Sequence, residues 1–232
     1  SYRLTHQMAN FLNNCILGYN RINGCKNGDK VRYIVCDCFG NKYGMRGINR
    51  PLREVQYYLE RYAPEDIFIL APSVKSSKTP VRVLANELSS KLHVPLFVQT
   101  NDDERIDEDI VRGKMVCSTF HSVKGLERPV VIVFGLDASY FKFYKKDADV
   151  NECPNEIYVA LSRGIECLSI LHHRGNQFIQ FLDKDSLEQN TEYENKTGLS
   201  LERNRENMTL NVDVTALTRH LPTEVLSKAT EF

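Results

Sequence analysis

Short apolar runs alternate along the chain with stretches in which apolar residues recur every three or four positions. The runs cover residues 31–36, 67–71, 96–98, 114–117, 130–134 and 167–171. Runs with few polar residues are typical of strands in parallel sheets that are covered on both faces. They therefore predict the strands of a buried sheet.

The stretches between these runs have the period of helices. Near the amino terminus, five apolar residues share one face of a predicted helix: Met8, Phe11, Leu12, Cys15 and Ile16. Thr5 precedes them as a typical N-cap. Further helices are predicted over residues 51–62, 79–88 and 155–163. Because strands that alternate with helices are typical of parallel sheets with crossover helices, the pattern predicts an α/β fold.

The periodic pattern weakens after residue 171. Residues 176–182 suit one more short helix, whereas residues 183–207 are polar and charged and predict a linker or a segment that wraps the surface. We therefore divide the chain into a domain over residues 1–183 and a polar linker over residues 184–232, with or without the start of a further segment.

Composition and charge are those of an ordinary globular protein. Of 232 residues, 42% are hydrophobic and 26% are charged. Thirty basic residues balance thirty acidic ones, so any binding of nucleic acid must depend on a local groove. The seven cysteines have no regular spacing, which indicates a reducing compartment. No metal site is expected, because Cys36 and Cys38 have no second pair at ligand spacing.

The sequence contains neither of the usual signals for membranes or secretion. No apolar run approaches the roughly 20 residues that a membrane helix needs, and no signal peptide opens the chain. We therefore expect an intracellular protein of the cytoplasm or nucleus, without a membrane partner. Because the chain starts directly before a helix, we also expect that it was cut from something longer.

Two short sequence motifs that contain polar and charged residues occur beside the predicted strands. The first is STFHSVKGLE, residues 118–127, between two apolar runs, and the second is YVALSR, residues 158–163, at the end of a predicted helix. Ligands of open parallel sheets bind beyond the carboxyl ends of the strands. The first string therefore predicts a binding loop at that edge of the sheet.

Together the two strings resemble motifs V and VI of superfamily 1 helicases of the UvrD-like group. The family pattern is roughly T-x-H-x-x-K-G-L-E before an apolar strand and then Y-V-A-L-[ST]-R, and this chain has both in order. Tyr2 and Arg3 also resemble the centre of the family's N-Y-R-S string, motif IV, although Ser1 and Leu4 replace its outer residues. The resemblance covers residues 1–175. It implies the C-terminal RecA-like domain of such a helicase, with three layers and helices on both faces of a mainly parallel sheet.

The resemblance implies an ATP site in a cleft between this domain and a preceding one. Arg163 and Arg3 are expected at the γ-phosphate as catalytic arginine fingers. Tyr2 is expected to stack on the base, Glu127 to contact the ribose, and Gly125 to form part of the same nucleotide-binding site. An arginine suits a phosphate because its planar fork stays charged and binds two oxygens, although an isolated arginine is also typical of a helix C-terminus.

The resemblance also implies contacts with single-stranded or partly duplex DNA, with movement from 3′ to 5′ as the family default. The expected contacts are Thr119, His121, Ser122, Lys124, Ser73 and Lys75. Their hydroxyl, imidazole and amino groups suit phosphate oxygens, and such contacts read no base sequence. For Lys75, simple solvation of a loop is an equally good explanation.

Two parts of a complete motor are absent from the sequence. It has no G-x-x-x-x-G-K-[ST] string and no apolar strand that ends in Asp-Glu. The resemblance therefore implies that the N-terminal RecA-like domain of the same protein holds Mg²⁺, and that this chain alone hydrolyses little or no ATP. Family members often insert a large domain before motif V, where this chain has only residues 101–113. Arg128 also replaces the aromatic residue that usually follows Gly-Leu-Glu.

Two other classes of function stay open at this stage. The first is a catalytically inactive relative of helicases that binds nucleic acid or a protein partner as a scaffold. The second is an unrelated α/β enzyme, although neither G-x-S-x-G nor G-x-G-x-x-G occurs in the sequence.

Overall fold

A computed structural model describes residues 3–40, 49–100 and 106–195, and its seven strands form one sheet. The strands are β1 (Val31–Cys36), β2 (Ile67–Ala71), β3 (Leu96–Val98), β4 (Met115–Thr119), β5 (Arg128–Phe134), β6 (Gly164–His173) and β7 (Thr191–Asn195). Their order is β3-β4-β2-β5-β6-β1-β7, and every neighbouring pair is parallel. The predicted α/β fold with a parallel sheet is therefore confirmed.

The helices are at most 13 residues long, and the first begins directly after Thr5, the residue that the sequence marks as its cap. They are α1 (His6–Phe11), which continues as a π-helix (Leu12–Leu17), α2 (Arg50–Leu59), α3 (Pro80–Leu92), α4 (Glu108–Val111), α5 (Ser139–Phe143), α6 (Asn155–Leu161) and α7 (Leu187–Asn190). The Oγ1 atom of Thr5 accepts the N–H of Met8 over 3.1 Å, as expected of an N-cap. None of the helices in the described ranges is long and apolar enough to span a membrane.

Helices cover both faces of the sheet. On one face, Val55 of α2 and Leu84 of α3 pack against a cluster that includes Ile69 and Ile132 of the central strands. On the other face, the amino-terminal helices and α6 bury a second cluster, in which Met8 and Ile157 join Val131. Burial on both faces explains why the strands contain so few polar residues. The three-layer arrangement is therefore also confirmed.

The prediction of a helix over residues 176–182 is wrong, because this segment consists of bends, irregular backbone and a turn. Its apolar residues are nevertheless buried: Phe178, Ile179 and Leu182 all join the core. The backbone carbonyl of Gln177 accepts the N–H of Ala138 over 2.9 Å, which is a contact with another segment in place of a helical hydrogen bond. Burial of apolar residues alone therefore did not specify a helix.

The sheet continues beyond the domain boundary predicted at residue 183. Strand β7 pairs in parallel with β1, in register from Val31 with Thr191 onward. Its two carboxylates bind arginines of the domain: Glu192 pairs with Arg32 and Glu194 with Arg50. Residues 191–195 therefore form an edge strand of the sheet, directly after helix α7. The rest of the predicted second part, residues 196–232, lies outside the described residues.

Candidate functional site

Arg163 lies between the end of α6 and the first residue of β6. Its Nε atom donates to the carbonyl oxygen of Val159 over 3.0 Å, and Nη1 donates to the carbonyl oxygen of Leu126 over 3.3 Å. Within the described ranges, no carboxylate forms an ion pair with it. Burial and the positive charge of Arg3 lower the pKa of the Arg163 guanidinium below its ordinary value. The guanidinium is thus oriented by backbone groups and keeps an uncompensated charge.

Arg3 forms an ion pair with Glu127, and both side chains are partly exposed. The backbone next to Arg3 is fixed by a bridge to a distant loop. Cys25 donates its N–H to the Leu4 carbonyl over 2.9 Å, and His6 donates to the Lys26 carbonyl over 2.7 Å. Leu4, which stands where the family pattern has a serine, is buried in the core. These contacts hold Arg3 in place at the start of α1.

The structure brings Arg3, Glu127 and Arg163 together. Arg163 donates to Leu126, the residue before Glu127, and its pKa responds to the charge of Arg3. Two guanidinium groups therefore lie close together while only Arg3 is paired with a carboxylate, which leaves a local excess of positive charge. Chemically, such an arrangement suits an anion with several oxygens, because guanidinium groups bind oxyanions in pairs of hydrogen bonds.

This cluster lies at the amino ends of the strands and not at the carboxyl ends that the sequence suggested. Strand β5 begins directly after Glu127, and β6 begins directly after Arg163. The two strand starts are linked, since Arg128 donates its N–H to the carbonyl oxygen of Arg163 over 3.2 Å. The physical reason is that parallel strands need a crossover, so residues 120–127 return from the end of β4 to the start of β5.

The first half of the same segment lies at the opposite edge of the sheet. Thr119 ends β4 and pairs with Ala71, the last residue of β2. Because β2 is also in register with the end of β5, Thr119 lies level with the carboxyl end of β5. Strand β5 has seven residues, so its two ends are about 20 Å apart. The predicted binding loop therefore has two ends on different edges of the sheet.

Four of the residues expected at DNA, Thr119, Ser122, Ser73 and Lys75, lie at or near this carboxyl edge. The Oγ1 atom of Thr119 is 3.0 Å from the Oγ atom of Ser122. Ser73 and Lys75 follow the adjacent strand β2, and the Ser73 hydroxyl accepts the N–H of Lys75 over 3.4 Å. His121 and Lys124 are exposed in the segment that leaves β4. The grouping is thus one of hydroxyl side chains and one lysine, Lys75, near the ends of two neighbouring strands.

Gly125 and Tyr2 are the two remaining predicted site residues, and the structure describes only Gly125. Gly125 is exposed and has a φ of +90°, a backbone conformation that favours glycine. No atom lies within 4 Å of a Cβ built at Gly125, so a close neighbour is not what requires the glycine. Tyr2 lies outside the described residues.

Sequence reasoning missed the groups that support Arg163 and Arg3. The carbonyl oxygens of Val159 and Leu126 are backbone atoms, which no side-chain pattern reveals. Gly24 permits the close approach of its loop to the start of α1, since a Cβ at this position would lie 2.5 Å from the Cα of His6. Among the described residues, no group of three or more histidine, cysteine or acidic side chains could hold a metal ion.

Comparisons of sequence find relatives among DNA helicases. Over 105 residues the chain is 32% identical to a probable DNA helicase II homolog of Mycoplasma capricolum, which covers 39% of the chain and 14% of that protein. Over 72 residues it is 38% identical to the ATP-dependent DNA helicase PcrA of Staphylococcus aureus, which covers 29% of the chain and 10% of that protein. The chain thus matches only a small part of these relatives. No family model matches it.

A comparison of folds finds the C-terminal domain of a possible DNA helicase from Lactobacillus plantarum WCFS1. The TM-score is 0.51 with 16% sequence identity, and the match covers 84% of this chain and 98% of that domain. At this level of identity the likeness shows the fold alone. The match nevertheless extends over nearly the whole length of the solved domain.

Proposed function

Because the chain is similar to UvrD-like superfamily 1 helicases in its motifs, relatives and fold, we propose that it is the C-terminal motor domain of an ATP-dependent DNA helicase. In this proposal Arg163 and Arg3 act as arginine fingers at an ATP site. The N-terminal RecA-like domain of the same protein completes that site and holds Mg²⁺. The partner is single-stranded or partly duplex DNA, on which the motor moves from 3′ to 5′.

The observation that carries this proposal is the state of the Arg163 guanidinium. Two backbone carbonyls orient it at 3.0 and 3.3 Å. An arginine at a helix end can bind the last carbonyls of the helix for structural reasons alone, but no carboxylate pairs with Arg163 in the described part of the chain, so its charge stays available to a ligand. A preorganised charge without a partner stabilises the negative charge that spreads over a transferring phosphoryl group.

Arg3 and Glu127 suit a site that changes partners when a nucleotide binds. Their ion pair is partly exposed, and such pairs contribute at most about 1 kcal/mol. The pair therefore opens at little cost, so that Arg3 turns to the γ-phosphate and Glu127 accepts hydrogen bonds from the ribose hydroxyls. ATP itself supplies the phosphoryl group, and these side chains bind and orient it.

Residues 119–127 give this domain a direct link between the two ligands. Thr119 and Ser122 lie at the carboxyl edge, where we propose that DNA phosphates bind, and Glu127 lies at the amino edge with the arginines. Phe120 and Val123 anchor the segment between them in the core. In this proposal, a shift of Glu127 on ATP hydrolysis moves the segment as a whole, and the shift reaches Thr119 and Ser122 about 20 Å away.

The decisive experiment replaces Arg163 in the protein that joins this chain to its N-terminal motor domain. Arg163→Ala and Arg163→Lys should each lower kcat for DNA-stimulated ATP hydrolysis by about 10³ or more, with binding of a fluorescent ATP analogue still measurable. Lysine fails because it cannot make the paired contact. Arg112→Ala, which removes an exposed arginine that pairs with Asp109, is the matched control.

Near-normal turnover in both Arg163 variants would remove this residue from catalysis. If the unaltered protein binds DNA but hydrolyses no ATP, the inactive scaffold becomes the better description. The two outcomes are distinguishable, because the first is a property of the variants and the second a property of the parent protein.

A further inference from the structure

Asn13 lies in the π-helix that continues α1, and only 5% of the residue is exposed. Its Nδ2 atom donates to the carbonyl oxygen of Ile22 over 2.8 Å. Its Oδ1 atom accepts the N–H groups of Arg21 and Ile22, each over 3.0 Å. Because a carboxamide both donates and accepts, this one side chain fixes the backbone of the return loop, residues 18–30, which connects the π-helix to β1.

The return loop also supports the start of α1. Cys25 donates its N–H to the carbonyl oxygen of Leu4 over 2.9 Å, and the carbonyl oxygen of Lys26 accepts the N–H of His6 over 2.7 Å. Thr5, the N-cap of α1, lies between these two contacts and forms a parallel bridge with Lys26. The return loop therefore fixes both peptide groups that flank the N-cap.

The return loop and the start of α1 are packed too closely to move independently. A Cβ built at Gly24 would lie 2.5 Å from the first Cα atom of α1, so the two backbones are in direct contact. Ile22 and Leu4 are also buried in the same core cluster. The hydrogen bonds of Asn13 thus hold the loop at Ile22, and three residues later the loop holds the residue that follows Arg3.

The guanidinium of Arg3 depends on where α1 begins. It pairs with Glu127, and its charge acts on Arg163. A displaced start of α1 would therefore move Arg3 relative to both of these residues. Misplacement of a catalytic group by about 1 Å can lower a rate about 10²-fold, even when the cause lies far from the chemistry.

We propose that Asn13 is a positioning residue for Arg3 and acts through the return loop. The inference rests on the proposed function, in which Arg3 contacts the γ-phosphate, and adds to it a buried residue that contacts no ligand. An amide with a purely structural role would lower only the stability of the fold. A positioning residue also lowers the rate of hydrolysis per folded molecule, and it does so only while Arg3 is present.

The test is a double-mutant cycle in the protein that joins this chain to its N-terminal motor domain. Single-turnover hydrolysis of radiolabelled ATP in the presence of DNA gives the rate per bound nucleotide, so unfolded molecules do not contribute. Asn13→Ala should lower this rate about tenfold, and Arg3→Ala should lower it about 10³-fold. In the Arg3→Ala background, Asn13→Ala should change the rate less than about twofold, because no guanidinium is left to position.

Two further variants separate the return loop from other effects on the helix. Asn14→Ala is the matched control, because this neighbouring amide donates to the side chain of Asn190 over 2.9 Å, and the rate should stay unchanged. Gly24→Ala forces the return loop away from α1 without altering Asn13. It should reproduce the effect of Asn13→Ala, including the absence of a further loss in the Arg3→Ala background.

An unchanged rate in Asn13→Ala overturns the inference. An equal loss with and without Arg3 also overturns it, because the amide then acts on another group. If Asn13→Ala does not fold, Gly24→Ala decides the question by the same two criteria. A near-normal rate in Arg3→Ala alone is a failure of the proposed function, and the positioning role fails with it. The two failures are distinguishable, because one is measured in the Asn13 variants and the other in Arg3→Ala.

Discussion

The guanidinium of Arg128 lies 4.8 Å from the centre of the Phe68 ring, in the position where the resembling family has an aromatic residue. Its Nη2 atom donates to Glu108 over 2.7 Å, and its Nη1 atom donates to the carbonyl oxygen of Glu127 over 2.9 Å. A planar guanidinium can pack on a ring as a flat group while its edge makes hydrogen bonds. The arginine therefore preserves the packing at this corner and also links α4 to the start of β5.

Replacement of Arg128 should show whether its packing against Phe68 or its charge contributes more to the stability of the domain. Arg128→Ala removes the contact with Phe68 and should lower the free energy of unfolding by about 1–2 kcal/mol. Arg128→Phe restores a flat group and should cost less, because the Nε atom of Arg128 is buried without a hydrogen-bond partner in the described structure. Urea unfolding of the two variants checks the order. A larger loss for phenylalanine than for alanine would contradict it.

Glu54 of α2 is fully buried. Its carboxylate links α2 to β1 and β6 directly, and to the edge strand β7 through two arginines. Its carboxylate accepts hydrogen bonds from Arg32 at 2.7 Å, from Arg50 at 2.8 Å and from the Ser169 hydroxyl at 2.7 Å. The same two arginines bind the carboxylates of β7: Arg32 pairs with Glu192 and Arg50 with Glu194. This buried carboxylate thus fixes the arginines that hold the last strand on the sheet.

Glu54→Gln should destabilise the domain far more than loss of an exposed partner of the same arginine. The substitution removes the buried carboxylate that both arginines share and leaves each of them with one more exposed partner on β7, at a cost of about 3 kcal/mol. Glu192→Gln also removes a partner of Arg32, but this carboxylate is 55% exposed, so it should cost below about 1 kcal/mol. Urea unfolding measures both. Similar losses for the two variants would rule out the central role of Glu54.

The sequence predicted the parts of the fold that depend on local pattern. Strand β2 agrees with its apolar run, and α1 begins after Thr5 as the capping signal indicates. Strand β7 was missed because Glu192 and Glu194 look solvated in the sequence, and their partners on β1 and α2 are more than 100 residues away. Long-range charge pairs of this kind leave no local signal.

The proximity of three of the predicted site residues could be expected from the sequence, but their position on the sheet could not. The resemblance implied that Arg3, Glu127 and Arg163 act at one ligand, and the structure brings them together. Which edge of the sheet they occupy depends on the crossover path of residues 120–127, and a linear pattern does not contain that path. The carbonyl groups that orient Arg163 depend on the same path, because Leu126 lies on it.

Glu127 should affect the sugar of the nucleotide and not the rate of the chemical step. We expect Glu127→Gln, in the protein joined to its N-terminal motor domain, to raise KM for ATP about tenfold with little change in kcat, because a neutral amide is a weaker acceptor for ribose hydroxyls. Turnover of 2′-deoxy-ATP should respond less to the same change. If kcat falls as strongly as in Arg163→Ala, Glu127 acts at the phosphates instead.

His172 should make the domain sensitive to mild acid. It is fully buried, its Nε2 atom lies 2.9 Å from the Asn176 carbonyl oxygen, and its Nδ1 atom lies 3.0 Å from the Tyr33 hydroxyl. The carbonyl only accepts, so Nε2 carries the hydrogen and Nδ1 accepts from Tyr33. Burial lowers the pKa of His172; His173 acts in the same direction, whereas the Asn176 carbonyl and the nearby Asp137 oppose the shift.

The sign of the pH effect follows from that lowered pKa. Below about pH 6.5 the unfolded chain binds a proton at this histidine more readily than the folded protein does. Stability should therefore be constant above that pH and fall below it, by at most about 1.4 kcal/mol per pH unit for one histidine. Urea unfolding between about pH 7.5 and 5.5 measures the slope. His172→Gln should reduce this slope and the exposed His6→Gln should not, so equal slopes in all three proteins would show that another group is responsible.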